Sequence, residues 1–103
     1  KLYQAGARVL GIPCNAAHAA PIFNLVGREV AELPDAVLVN MLEETGREIR
    51  ALMADGSRVA VLSTLGTYRC RVYDHYLNQV GLTAFDPGLE IIERVHAAIY
   101  DPD

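Results

Sequence analysis

Arg8-Val9-Leu10-Gly11-Ile12-Pro13-Cys14-Asn15 (RVLGIPCN) is the stretch on which the fold turns. Its apolar residues run together instead of alternating. Such a run is expected of a parallel strand covered on both faces, so Arg8 to Pro13 reads as a short buried strand. Polar residues follow at once, with Cys14 and Asn15 at the C-terminal end of that strand. Ala16 to Glu32 is Ala-rich and helix-compatible, and Pro21 limits where regular helix begins, because proline is tolerated in a first turn but not deep inside. Strand, polar turn and helix in that order form the repeating unit of an α/β domain.

The unit recurs along the chain. Leu33-Pro34-Asp35 breaks the first helix, and Ala36 to Val39 is a second apolar strand. Met41 to Asp55 is the clearest helix: Leu42, Thr45, Ile49, Leu52 and Met53 fall on one face, and Gly56 is placed to end it. Val59 to Leu62 is a third strand, followed by the loop Ser63-Thr64-Leu65-Gly66-Thr67. A helix is expected from about Tyr68 to Val80, burying Tyr73, Tyr76, Leu77 and Val80, with Gly81 as its stop. Leu82 to Phe85 is a fourth strand, Asp86-Pro87-Gly88 a turn, and Leu89 to Tyr100 a last helix with Ile92, Val95 and Ile99 inward. The opening KLYQAGA reads as the tail of a helix ending near Gly6. The alternation implies a largely parallel sheet of the flavodoxin or Rossmann type. In such folds ligands bind beyond the C-terminal ends of the strands. Two polar clusters lie at such ends, Cys14-Asn15 and Thr64 to Thr67.

Composition narrows the class. The chain has 103 residues, of which 51% are hydrophobic and 21% charged, an ordinary globular balance. Its net charge is −4 and Lys1 is the only lysine, so nucleic-acid binding by phosphate neutralisation is not expected. No apolar run approaches the roughly 20 residues of a membrane span, and the start lacks the basic and apolar segments of a signal peptide. Two cysteines do not make a disulfide framework, which places the chain in the cytoplasm by default. His18, His75 and His96 do not combine with the cysteines in any metal-binding spacing. A first helix cut at its start, and an end just after the last helix, read as a fragment lacking both ends.

A cysteine between a strand end and a helix start sits where backbone N–H groups and the helix dipole favour an anion, and therefore a thiolate. Asn15 adds an amide able to donate to a carboxylate. His18 is an accessory candidate, placed to bond the thiol, to bond a carboxylate, or simply to fill the first turn. By position alone, a cysteine after an apolar strand is more often a packed core residue than a catalytic one.

The stretch GIPCNAAHA resembles the Cys-Asn-Thr-Ala-His signature of the aspartate/glutamate racemase family. VNMLEETGREI is similar to that family's Asn-Met-Ile-Glu-Glu-Thr stretch. VAVLSTLGTYRCRVYDHYL resembles its strand, Thr-x-Gly-Thr loop and helix, and EIIERVHAAIYD its late helix. These matches come in family order and cover most of the chain, with the likeness strongest to the aspartate racemases. The resemblance implies two α/β domains facing across a cleft, with residues 1–40 ending the first and 41–103 forming most of the second. It implies racemisation of aspartate or glutamate by two cysteines that deprotonate and reprotonate the α-carbon from opposite faces, with no pyridoxal phosphate, no other cofactor and no metal. Cys14 matches the first catalytic cysteine, Asn15 a residue that holds a substrate carboxylate, and Thr67, with Thr64, the threonine loop that contacts substrate. A homodimer fits the resemblance, though no surface stripe in the sequence demands one.

Two departures stand out. Ala16 replaces the usual threonine, removing one substrate-binding hydroxyl. The second cysteine of the family, in a Gly-Cys-Thr-Glu stretch, has no counterpart here. Cys70 is a poor substitute, because its spacing to Tyr73 and Leu77 reads as helix packing. The alternatives are a non-catalytic domain that binds an amino acid or dicarboxylate, and a related cofactorless decarboxylase or isomerase, since fold does not decide chemistry.

Overall fold

A computed structural model describes residues 1–101. The first strand, β1 (Val9–Gly11), is followed by a 3-10 turn at Ala16–His18, helix α1 (Ala20–Ala31) and strand β2 (Val37–Val39). Helix α2 (Met41–Leu52), strand β3 (Arg58–Ala60), helices α3 (Leu65–Cys70) and α4 (Val72–Gln79), strand β4 (Thr83–Phe85) and helix α5 (Leu89–Tyr100) complete the order. The fold is mixed α/β with parallel strands. They form two separate sheets: β1 pairs with β2, Val9 opposite Val37, and β3 pairs with β4, Arg58 opposite Thr83. The strands are shorter than their apolar runs. Pro13 lacks the N–H that would extend β1, and Leu62 is exposed beyond the end of β3.

The helices begin where local chemistry lets them. Pro21 occupies the first turn of α1, where its missing N–H and fixed φ are harmless. Ala16–His18 is therefore a separate 3-10 turn, and regular helix starts six residues after Cys14. The Asn40 side chain caps α2 by accepting from the Glu43 backbone N–H at 3.0 Å, and Glu43 and Glu44 follow in its first turn, where acidic groups are favourable.

Several expectations shift. Residues 2–6 form turns, not a helix tail. The helix expected over Tyr68 to Val80 starts earlier, at Leu65, and is broken at Arg71, whose φ of 48° is left-handed. The supposed threonine loop thus lies largely in α3, with Thr64 as its N-cap residue and Thr67 inside it. Leu52, Met53 and Ile99 are exposed, because α2 ends at Leu52 and α5 is packed mainly along its first half.

The core gathers Leu42 of α2, Val72 and Leu77 of α4, Leu82 before β4 and Ile92 of α5, with Val30 buried on α1. Gly46 lets α2 lie close against α4: a Cβ there would stand 3.1 Å from the Tyr76 carbonyl oxygen. This crossing brings α4 toward the C-terminal ends of β1 and β2.

Candidate functional site

Cys14 is exposed, in the segment that leaves β1. Its backbone N–H donates to the Ile12 carbonyl at 2.8 Å. Its own carbonyl accepts from His18 Nδ1 at 2.8 Å. The other ring nitrogen of His18, Nε2, accepts from the Met41 backbone N–H at 3.2 Å. This pair of bonds fixes the neutral tautomer with the proton on Nδ1. The ring is only 2% exposed and stacks on Phe23 with centroids 4.8 Å apart. Both ring nitrogens of His18 are therefore spent on backbone groups, and neither is bonded to the thiol. It fastens the main chain at Cys14 to the start of α2. Because α1 starts at Ala20, Cys14 does not sit at the N-terminus of a regular helix, and the dipole contribution expected from the sequence does not reach it.

Asn15 is half-buried, and its Oδ1 accepts from the Tyr73 hydroxyl of α4 at 2.8 Å. A second tyrosine–asparagine bond, of opposite direction, lies beside it. Asn40, the residue directly after β2, donates from Nδ2 to the Tyr76 hydroxyl at 2.8 Å. Tyr73 and Tyr76 are one turn apart on α4 and share a face. Two tyrosine–asparagine bonds thus tie α4 to the C-terminal ends of two neighbouring strands. Burial raises the Tyr73 phenol above the ordinary tyrosine value, with the Thr45 hydroxyl acting in the opposite direction. At neutral pH the phenol keeps the proton it donates to Asn15.

Thr67 is buried. Its Oγ1 is 3.5 Å from that of Thr64, the N-cap residue of α3. The backbone N–H of Leu65, the first residue of α3, donates to His96 Nδ1 at 3.1 Å, so α5 anchors that end of the helix. Ser63, Thr67, Tyr68, Arg71 and Tyr73 line a cavity of about 170 Å³ beside β3 and β4. Asp86 stands at its edge. It accepts from the Gly88 N–H at 2.8 Å and the Tyr68 hydroxyl at 2.9 Å, and Arg71 lies 3.5 Å away. The Gly88 N–H foremost, then the Tyr68 hydroxyl and Arg71, hold the Asp86 carboxyl below its ordinary range. The same bond raises Tyr68, because losing the phenolic proton would set two anions together.

Of the sequence-derived candidates, Thr67 lines this cavity. Asn15 is joined to it through Tyr73, which also lines it. Thr64 and Cys14 lie outside its wall. Cys70, expected to pack inside its helix, is exposed at the end of α3. The sequence marks Tyr73 and Tyr76 only as residues of a buried helix face and gives Asn40 no role of its own. The signal for them was available: an asparagine in the segment after each of two parallel strands, and two tyrosines at helical spacing.

A family model described as Asp/Glu/Hydantoin racemase matches residues 1–103. No curated protein matches the chain.

Proposed function

The chain belongs to the Asp/Glu/hydantoin racemase family, and from that premise we propose that it serves racemisation of a small acidic amino acid, aspartate first and glutamate next, with Cys14 as a thiol base. Membership makes racemase-type isomerase chemistry the activity class. The observation that carries the finer reading is the exposed Cys14 thiol in a main chain pinned by His18, next to an asparagine held by Tyr73.

An amino-acid α-proton is very weakly acidic. A thiolate removes it only where charge growing on the carboxylate is met by donors already in place. Asn15 supplies an amide for that carboxylate. Thr67, with Thr64 beside it, supplies a hydroxyl in the neighbouring cavity wall. The amino-acid substrate is the only partner this reading requires, and it uses thiols alone, with no cofactor. Inversion also needs an acid on the opposite face. Cys70 is the one other cysteine of the sequence, and it follows a different strand, at the far end of α3. We assign the second acid to neither Cys70 nor any other residue of the 103, and residues 1–103 alone are expected not to racemise aspartate.

Exchange reports on the first base without requiring the second, because a thiol holding the α-proton can trade it with solvent before handing it back. Protein carrying this chain, incubated with L-aspartate in deuterated water, is expected to place deuterium at the α-carbon. Cys14→Ser is expected to lower that rate by at least about a hundredfold, the scale of removing a positioned general base, while Cys70→Ser retains it. Absence of α-deuterium with aspartate and glutamate alike, or a Cys14→Ser variant matching the parent, sinks the reading. In that case Ala16, standing where the family signature has a hydroxyl, favours a domain that binds such a ligand without turning it over.

A further inference from the structure

The two tyrosine–asparagine bonds differ in what they leave free. Asn40 is committed at both ends of its amide: Oδ1 accepts from Glu43, and Nδ2 donates to Tyr76. Its role is complete within the fold. Asn15 is committed at one end only. Tyr73 occupies Oδ1, and no group among the described residues accepts from Nδ2.

An asparagine amide has two orientations that exchange donor for acceptor, and little separates them unless a neighbour chooses. For an anion beside Asn15 the choice decides everything. One orientation offers two N–H donors to a carboxylate, and the other offers oxygen lone pairs that repel it. In the arrangement observed the Tyr73 hydroxyl donates to Oδ1, which leaves the two N–H donors facing away from it. We propose that Tyr73 is a positioning residue: it holds the Asn15 amide with its donors turned outward for the carboxylate of the amino-acid ligand. This rests on the assignment of Asn15 to a substrate carboxylate.

The surroundings of Tyr73 suit such a role. It lines the cavity that Thr67 also lines. It reaches Asn15 across 58 residues of sequence, so the bond exists only in the folded chain. Its helix is seated by the close approach at Gly46. A single phenol therefore connects the asparagine after β1 with the wall that carries the threonine.

Tyr73→Phe removes the hydroxyl and keeps the ring. Tyr76→Phe is the control, losing from the same helix a tyrosine–asparagine bond of equal length in which the hydroxyl accepts instead of donating. Side-chain amide NMR of Asn15 with L-aspartate as the probe reads the effect directly. In the parent protein the Asn15 Nδ2 signals are expected to be ordered and to move on titration with L-aspartate. Tyr73→Phe should make that amide mobile and weaken L-aspartate binding by about three- to tenfold, a fraction of the loss expected for a hydrogen bond to a charged group. Tyr76→Phe should leave binding within about twofold. Asn15→Ala with Tyr73→Phe should bind no more weakly than Asn15→Ala alone, since the second change acts only through the first. The proposal is overturned if the Asn15 amide is equally ordered in Tyr73→Phe, if L-aspartate does not move its signals, or if the two substitutions add. Deuterium incorporation distinguishes the levels. Exchange without any response at Asn15 removes this inference and leaves the racemase reading standing, whereas a response at Asn15 that Tyr73→Phe weakens, with no exchange in the parent, removes the racemase reading and leaves this one.

Discussion

His18 shows how much a single side chain can do without touching a ligand. Its two ring nitrogens span from the Cys14 carbonyl to the Met41 N–H, which joins the segment after β1 to the start of α2. Phenylalanine at this position would keep a flat ring for Phe23 but satisfy neither backbone group. Each half-buried group left without its partner costs about 1–3 kcal/mol. His18→Phe is therefore expected to destabilise the fold by about 2–4 kcal/mol, read as a lower midpoint in urea unfolding with an unchanged slope. The same substitution should loosen the main chain at Cys14, visible as faster amide exchange there. An unchanged midpoint would mean that His18 fills space and bridges nothing. From the sequence His18 is an accessory candidate for the thiol, for a carboxylate or for filling the first turn, whereas the ring addresses the backbone. A ring nitrogen's partner is a matter of tertiary geometry, and spacing along the chain does not reveal it.

At the scale of elements, two helical glycines test how α4 is seated. Gly46 of α2 faces α4, where a new Cβ would lie 3.1 Å from the Tyr76 carbonyl oxygen. That oxygen belongs to a helix interior and cannot move alone. Gly27 of α1 faces open space, with nothing within 4 Å of a new Cβ. Replacing an unhindered helical glycine with alanine gains about 0.5–1 kcal/mol. Gly27→Ala is expected to raise stability by about that amount. Gly46→Val is expected to lower it by about 1–3 kcal/mol, the usual cost of overpacking, and to weaken ligand binding by pushing Tyr73 away from Asn15. Thermal melts of the two variants check the signs. If both move stability in the same direction, the close approach of α2 and α4 is wrong. Element existence and order were legible in the sequence because apolar runs, caps and breakers are local. The Pro21 limit on the start of α1 and the stop at Gly81 are such signals. The break at Arg71 was not legible, since a left-handed arginine has no composition signature and is held by partners at Asp74 and Asp86. The shortness of the strands escaped for a related reason: apolar runs record which residues want cover, and pairing depends on what lies beside them.

Viewed whole, the molecule is broad and thin, 44 × 37 × 22 Å, with a radius of gyration of 15.8 Å, where about 13 Å is usual for this length. No helix of the described residues is long and apolar enough to cross a membrane. The accessible surface is 7106 Å², against about 5,700 Å² for a compact monomer of its mass. The surplus is roughly 1,400 Å², and exposed apolar residues on helices and strands alike contribute to it. Val9 and Val37 are register partners on one face of β1–β2, and they are 69% and 56% exposed. Parallel strands are ordinarily covered on both faces, and an apolar patch of several hundred Å² on a lone chain promotes association. The surplus is within the range that each partner contributes to an extensive subunit interface. The 103-residue chain by itself is therefore expected to bind a hydrophobic dye and to gain apparent mass with concentration in sedimentation. Val9→Thr with Val37→Thr keeps β-branched residues on the strands and is expected to reduce both effects without changing strand order. A chain that sediments as a monomer from micromolar to millimolar concentration and ignores the dye would show that these faces do not associate. Growth of apparent mass that the double substitution leaves untouched would move the contact to another surface.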